Sequence, residues 1–320
     1  MSDFRLYLFK RMGYIAVTLL IISFIVFAIT QLLPGNAAVL ILGKQATNES
    51  IAAVEQQLGL NKPWYVQYTD WLVGFVTGEW GNSYLNDASA MDVIIPRLIH
   101  SVQLAALTLV LVICVGIPLG VVAAMKEDSI QDLAVSSFGY LGVSFPEFIT
   151  GMVLLTLFGG PILSIFPFGG YEPLQSGLIP WLKHLALPSL TLTIILIAHV
   201  MRLTRSELIE VLESDYVRTA RLKGISEYRV LFFHALRNAL LPTITLLALD
   251  VGYLLGSIVV VEEVFAFPGL GRLVVRAIQS RDIPVIQAVV MIIAIVYTFA
   301  NLAADILYTY LDPRIEYGEQ

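Results

Sequence analysis

Residues 12 to 33 read Met12-Gly13-Tyr14-Ile15-Ala16-Val17-Thr18-Leu19-Leu20-Ile21-Ile22-Ser23-Phe24-Ile25-Val26-Phe27-Ala28-Ile29-Thr30-Gln31-Leu32-Leu33, without a single charged side chain. At ~1.5 Å of rise per helical residue, such a run crosses the ~30 Å hydrocarbon core of a bilayer. Arg5, Lys10 and Arg11 stand just before it. A basic start followed by an apolar stretch is also the pattern of a secretory signal. Here, however, the apolar core exceeds the ~7–15 residues of such signals, and no clear Ala-x-Ala cleavage site follows. The stretch reads as an uncleaved first transmembrane helix. Further uncharged runs at 98 to 125, 148 to 171 and 283 to 304 repeat the pattern along the chain.

Composition agrees with that reading. Of 320 residues, 57% are hydrophobic and 14% charged, against roughly 25% charged in a typical soluble domain; the mean hydropathy is +0.79. A soluble enzyme is excluded. The one cysteine, Cys114, lies in an apolar run, which leaves neither a disulfide framework nor a Cys-based metal site. Spans are expected at 12–33, 102–125, 133–158, 185–201, 239–261 and 285–311, giving an all-α polytopic membrane protein with six transmembrane helices. Even-numbered spans put both termini on one side. Segments 1–11, 126–132, 202–238 and 312–320 carry 12 Lys and Arg in 64 residues, and the opposite set (34–101, 160–184, 265–284) carries 7 in 113. By the positive-inside rule the termini are cytoplasmic. The organisation expected is a cytoplasmic N-terminus and first span over 1–33, an extracytoplasmic helical segment over 34–101, a five-span core over 102–311 and a cytoplasmic tail over 312–320.

The extracytoplasmic segment carries helix signals of its own. Thr47 and Asn48 are capping residues before a helix with Ile51, Val54 and Leu58 on one face, ended by Gly59. Pro63 suits the first turn of a second helix that aligns Trp64, Tyr68, Trp71, Leu72 and Phe75 in one stripe. These aromatics are suited to packing on the transmembrane body or sitting at headgroup level, with docking of an external partner as the alternative.

Transport needs an energy source, and the chain has no G-x-x-x-x-G-K-[ST] loop to cradle ATP phosphates. It also lacks a G-x-S-x-G elbow and an H-E-x-x-H pair. His100, His184, His199 and His234 are scattered singly near span ends. The intramembrane carboxylates Glu147, Asp250 and Asp305 are costly in lipid and are candidates for function. They suit either a proton relay in a secondary carrier or burial inside a bundle against polar neighbours.

The largest inside loop, 202–238, holds 7 of the 19 basic residues. Leu203, Leu208, Val211 and Leu212 lie near one helical face, Gly224 can end that helix in a left-handed conformation, and Ser226 with Glu227 can cap a second helix through Tyr228, Val230, Leu231 and Phe232. A helix-turn-helix on the inner membrane face is the result. Within it, Tyr216-Val217-Arg218-Thr219-Ala220-Arg221-Leu222-Lys223-Gly224 is followed by His234-Ala235-Leu236-Arg237-Asn238-Ala239-Leu240-Leu241-Pro242. This order resembles the EAA loop of bacterial ABC importer permeases, in the dipeptide/oligopeptide branch. Matching segments occur elsewhere in the same order: Leu33-Pro34-Gly35, Leu58-Gly59-Leu60-Asn61-Lys62-Pro63, Gly78-Glu79-Trp80-Gly81-Asn82-Ser83, Val143-Ser144-Phe145-Pro146-Glu147-Phe148, Phe265-Ala266-Phe267-Pro268-Gly269-Leu270-Gly271-Arg272 and Asp312-Pro313-Arg314. The long outside segment is similar to that of the first of the two paired permeases. Arg218-Thr219-Ala220 stands where other importers have Glu-Ala-Ala, and Arg237 where they have proline, so Glu-based contacts do not transfer.

The resemblance implies a role without covalent chemistry in this chain. ATP and Mg would be held by two separate cytoplasmic ATPase subunits, and a second homologous permease and an extracytoplasmic substrate-binding protein would complete the assembly. The chain itself would bind no cofactor and no metal, and its surroundings would be the lipid of a bacterial or archaeal cytoplasmic membrane, with no nucleic acid. Asp215, Tyr216, Arg218, Thr219, Ala220, Arg221, Lys223, Gly224, Ile225, Ser226 and Arg229 would form the coupling element, with Tyr216, Ala220 and Ile225 as its apolar contact. Asp250 and Glu147 are candidates for the translocation path, and Phe267, Pro268, Gly269, Gly271 and Arg272 for contact with the binding protein. Permeases of this kind also resemble importers of nickel chelates, glutathione and oligosaccharides, and no residue pattern here reads the cargo. A proton-coupled carrier and a non-transporting scaffold are the readings from other classes.

Overall fold

The computed structural model describes residues 2–32, 37–42, 47–85, 88–160 and 162–311. The Leu33-Pro34-Gly35 and Asp312-Pro313-Arg314 segments and the 312–320 tail lie outside the described residues. The helices are α1 (Ser2–Leu32), α2 (Ala37–Leu42), α3 (Asn48–Gln57), α4 (Trp64–Thr77), α5 (Ala90–Leu111), α6 (Ile117–Met125), α7 (Ile130–Ser144), α8 (Glu147–Leu154), α9 (Leu178–Glu213), α10 (Asp215–Leu222), α11 (Glu227–Arg229), α12 (Leu236–Val264), α13 (Leu270–Ser280) and α14 (Ile283–Leu311). Among the described residues the only β pairing is an isolated bridge between Asn82 and Ser89. That is what a bilayer demands, because an unpaired strand in lipid would leave its backbone groups unsatisfied.

Among the described residues, five helical stretches are long and apolar enough to cross a membrane: Leu8–Leu32, Ala90–Met125, Leu178–Glu213, Glu227–Val264 and Ile283–Ile306. A bent pair, Ile130–Gly142 and Glu147–Gly159, at 104° to each other, passes the same test only when its two helices are taken together, which gives five crossings, or six with the pair counted as one broken span. The continuous third span expected over 133–158 is therefore replaced by a broken one. Pro146 is the cause: it pushes the preceding residue out of the helical region, and Phe145 sits extended at φ −112°, ψ 136°. The second span also starts earlier than expected, at Ala90, with Pro96 accommodated inside α5.

The chain divides into two compact units, Met1–His100 with Gly269–Thr298, and Ser101–Pro268 with Phe299–Gln320. In the first, Thr47 caps α3 through a reciprocal pair with Ser50, and Gly78 ends α4 in the left-handed conformation. The α4 stripe packs on α1: Tyr68 meets Phe24 and Phe27 edge-on, Trp71 lies by Phe27, and the Tyr68 hydroxyl shares a 2.8 Å hydrogen bond with Ser23. Ala90, Ile94, Leu270, Ala277, Val285 and Val289 form this unit's apolar core. A buried carboxylate locks its loop, since Asp282 accepts from the Ser83 hydroxyl at 2.5 Å and from the Tyr84 N–H at 3.2 Å.

The second unit is built round α9, which has 72% of its most apolar stretch buried against 22% for α1. Leu185, Leu192, Leu196 and Val200 of α9 meet Leu104, Leu155, Leu254, Ile258 and Phe265. Backbones come close where side chains are small: a Cβ at Gly120 of α6 would stand 2.6 Å from the Met201 carbonyl oxygen of α9. One ion pair ties α7 to α9, with Arg205 Nε and Nη2 each donating to an oxygen of the buried Asp132 at 2.6 Å.

Two measurements check these anchors. Arg205→Met leaves the Asp132 carboxylate buried without its partner and lowers stability by about 3 kcal/mol, whereas adding Asp132→Asn recovers most of the loss in a thermal or denaturant unfolding series. In the loop, burial first and the Asp282 charge second push the Tyr84 hydroxyl up to about 12 from 10. Its neutral form is thus favoured by the fold, and that stability is present below pH ~10 and lost as pH rises towards ~12. Wild-type unfolding should become easier than that of Tyr84→Phe across this window, with the pH dependence of the two proteins parallel below it.

Candidate coupling site

The loop after α9 begins at Ser214, whose ψ of 149° breaks the helix before α10 starts at Asp215. The single helix expected from Leu203 to Gly224 is two helices, and Ser214 with Asp215 is the local signal for the break. α10 closes on Gly224 at φ +73°, with Ile225 N–H donating to the Ala220 carbonyl at 3.3 Å and Gly224 N–H to Arg221 at 2.9 Å. This is a Schellman ending, and the left-handed residue in it is glycine for the usual steric reason. No atom lies within 4 Å of where a Gly224 Cβ would sit. The space over the turn is open to another molecule.

From the turn the chain enters α11 and a short π-helical stretch, Val230–Ala235, before α12. Ser226 occupies the N-cap position of α11 and contributes its backbone carbonyl to Val230 N–H rather than a side-chain cap. Arg221 of α10 grips Glu227 of α11 with two hydrogen bonds, at 3.0 and 3.3 Å, and Asn238 donates to the Tyr216 hydroxyl at 2.9 Å. Beneath them Leu208, Val217, Ala220, Val230, Leu231, Ala235 and Ala239 form a buried cluster that takes in Val121 and Ala124 of α6. The loop is thus seated on the spans by apolar packing and cross-linked by polar pairs.

Ala220 is buried in that cluster, and Ile225 packs against it. They were expected to offer an apolar contact to a partner, but they face their own chain because Val217, Ala220 and Val230 share the side that meets α9 and α6. The exposed apolar groups include Leu222 at 81%, Tyr228 at 67%, Phe233 and, about half exposed, Tyr216 and Phe232. Leu222 and Tyr228 flank Gly224 in sequence, which is the signal that could have marked them. Asp215, Arg218, Thr219, Lys223, Ser226 and Arg229 are exposed around them. Tyr228 packs against Phe232 with the rings tilted by 42° and their centroids 4.6 Å apart. Tyr216, Phe233, His234, Arg237 and Leu241 line an open recess of about 810 Å³ beside the loop.

The other expected site residues fall apart from this knuckle. Asp250 is buried on α12 at 6% exposure, and its Oδ2 has no hydrogen-bond partner in the structure. Glu147 is half-buried in the first turn of α8, just past the break in the third span. No hydrogen bond joins the two among the described residues. Phe267 is fully buried, edge-on to Tyr171 at 5.5 Å, and Gly269 and Gly271 are buried as well. Phe267 is therefore not an exposed docking group, because the Phe-x-Phe turn anchors itself in its unit's core. Pro268 and Arg272 are partly exposed.

The structure thus pairs a set of long apolar helices with a polar knuckle, residues 215–229, seated on their ends. Residues 116–317 match the family described as "binding-protein-dependent transport system inner membrane component", and residues 4–105 match that family's N-terminal region. The chain belongs to this family. It is 37% identical to a probable peptide ABC transporter permease of Sinorhizobium fredii, covering 97% of this chain and 99% of that one. A putative peptide transport system permease of Brucella suis is 41% identical over 96% and 98% of the two chains, and a glutathione transport system permease of Salmonella choleraesuis 38% over 97% and 99%. The protein is a multi-pass membrane permease that works with a substrate-binding protein and an ATPase.

Two substitutions at the turn separate backbone strain from partner contact. Gly224→Val costs about 1–2 kcal/mol in the left-handed region, and Gly224→Asn, which tolerates it, costs little. Both are expected to leave the chain inserted and both to cut ATP-driven uptake at least several-fold, because the side chain occupies the space over the turn. Full uptake by Gly224→Asn would show that the glycine serves only its own chain.

Proposed function

We propose that this chain is the first-type permease of an ABC importer, paired with a second homologous permease and two cytoplasmic ATPase subunits that hold ATP and Mg. Its termini and the 202–238 loop face the cytoplasm, as the threefold excess of Lys and Arg on that side supports. The cargo is a di- or oligopeptide or a small solute of similar chemistry, a reading supported by the peptide and glutathione names of the relatives. An extracytoplasmic binding protein delivers it.

The seating of the loop carries this reading. Glu227–Val264 is one helical span, so the knuckle is the end of a lever that reaches Asp250 about 35 Å away at ~1.5 Å per residue. Closure of an ATPase pair holding Leu222, Tyr228 and the Gly224 turn would displace that lever, and with it the wall of the path, giving alternating access by rigid-body motion. Exposed Arg218, Lys223 and Arg229 would ring the apolar contact with ion pairs. Asp250 is the residue we place at the path, because a buried carboxylate with an unpaired oxygen suits a passing ammonium group or a donor from the second permease.

Uptake of a labelled dipeptide into proteoliposomes containing the assembled transporter and its binding protein tests this. ATP should drive uptake and a proton gradient alone should not; uptake driven by the gradient without ATP would favour a secondary carrier. Asp250→Asn is expected to lower uptake several-fold, less than Gly224→Val does, while ATP hydrolysis persists.

A further inference from the structure

We propose that a recess between α6, α7 and α9 holds the phosphate of an anionic phospholipid from the leaflet on the coupling-loop side. The recess has a volume of about 240 Å³, and its walls include Ala123, Gly139, Tyr140, His199, Met201 and Arg202. Small residues open it: Gly139 faces α9 so closely that a Cβ there would stand 2.5 Å from the Met201 methyl.

Its charge is one-sided. Of the two arginines on its rim, Arg205 is committed to Asp132, whose carboxylate also accepts from Ser136 and from the Asp128 N–H. Arg202, one helical turn away, has no hydrogen bond or ion pair among the described residues, and neither has the half-buried His199. Arg202 is exposed at the mouth of the recess beside the half-buried His199, and a guanidinium without a protein partner there can take an anion. The depth identifies which one. Arg202 is the first charged residue after Lys183 on α9, and Ala123 lies three residues before Lys126, so the recess opens where the apolar stretches of α6 and α9 end. That is the headgroup level. On α7 the exposed Leu133, Tyr140 and Leu141 carry an apolar surface along the same helix, suited to acyl chains. Free phosphate would meet the same Arg202 and His199 but gain nothing from that surface.

The full-length chain, purified with the subunits that accompany it, is titrated with phosphatidylglycerol or phosphatidylcholine and its bound lipids counted by native mass spectrometry. Wild type should retain phosphatidylglycerol in preference to phosphatidylcholine. Arg202→Gln should weaken that retention about fivefold, the effect of one arginine at a membrane surface, and adding His199→Gln should weaken it further. Arg202→Lys, which keeps the charge, should retain the lipid, and inorganic phosphate should not displace it. Equal retention by wild type and the Arg202→Gln/His199→Gln variant would overturn the proposal. So would displacement by inorganic phosphate, which would make the site one for a free anion.

Discussion

The apolar cluster beneath residues 215–229 is the interaction on which the rest depends. Leu208 of α9, Val217 and Ala220 of α10, Val230 and Leu231 after α11, and Val121 and Ala124 of α6 share one buried core. A loop of this length held by charge alone would be a solvated tether, since exposed ion pairs such as Arg221 with Glu227 contribute at most ~1 kcal/mol. With the cluster in place, the loop is packed into one core with α6, α9 and α12. The proposed transmission of ATPase closure from Gly224 to the membrane interior rests on this seating.

The same economy of backbone hydrogen bonds governs the spans. Because the bilayer offers no partners for peptide groups, the departures from α-helix are confined to short π-helical stretches and one proline break. One π-helical stretch, Val230–Ala235, sits where the loop joins α12, and the break at Phe145 sits where α7 hands over to α8. Around the central α9, Gly120 and Gly142 let neighbouring helices approach to backbone contact. The second unit is thus close-packed inside and joined to the loop at one end.

The five continuous apolar spans were legible in the sequence because apolar length is a strong signal. So was the loop, because Gly224 and its flanking pattern are local features. What was not legible depends on tertiary placement. The early start of α5 was hidden by Asp92, Pro96 and Arg97, which read as a loop until Arg97 is seen folding back to donate to the Val93 carbonyl. Phe267 looked like a surface turn residue, yet it lies fully buried. Ala220 and Ile225 were assigned to the outer face of the loop and belong to its inner one. Periodicity shows that a short helix has two faces and not which of them meets the membrane body. The helical break at Ser214 shifts that choice.

The central claim is that the Gly224 turn docks in a cytoplasmic ATPase. It is tested most directly by site-directed cross-linking of Lys223→Cys, in a Cys114→Ser background, to an ATPase subunit carrying cysteines along its exposed grooves. The account predicts a cross-link whose yield at a given position changes when ATP is added, with Ile21→Cys in the middle of the first span as a silent control. A chain that transports normally while position 223 cross-links to no ATPase in any nucleotide state would contradict it.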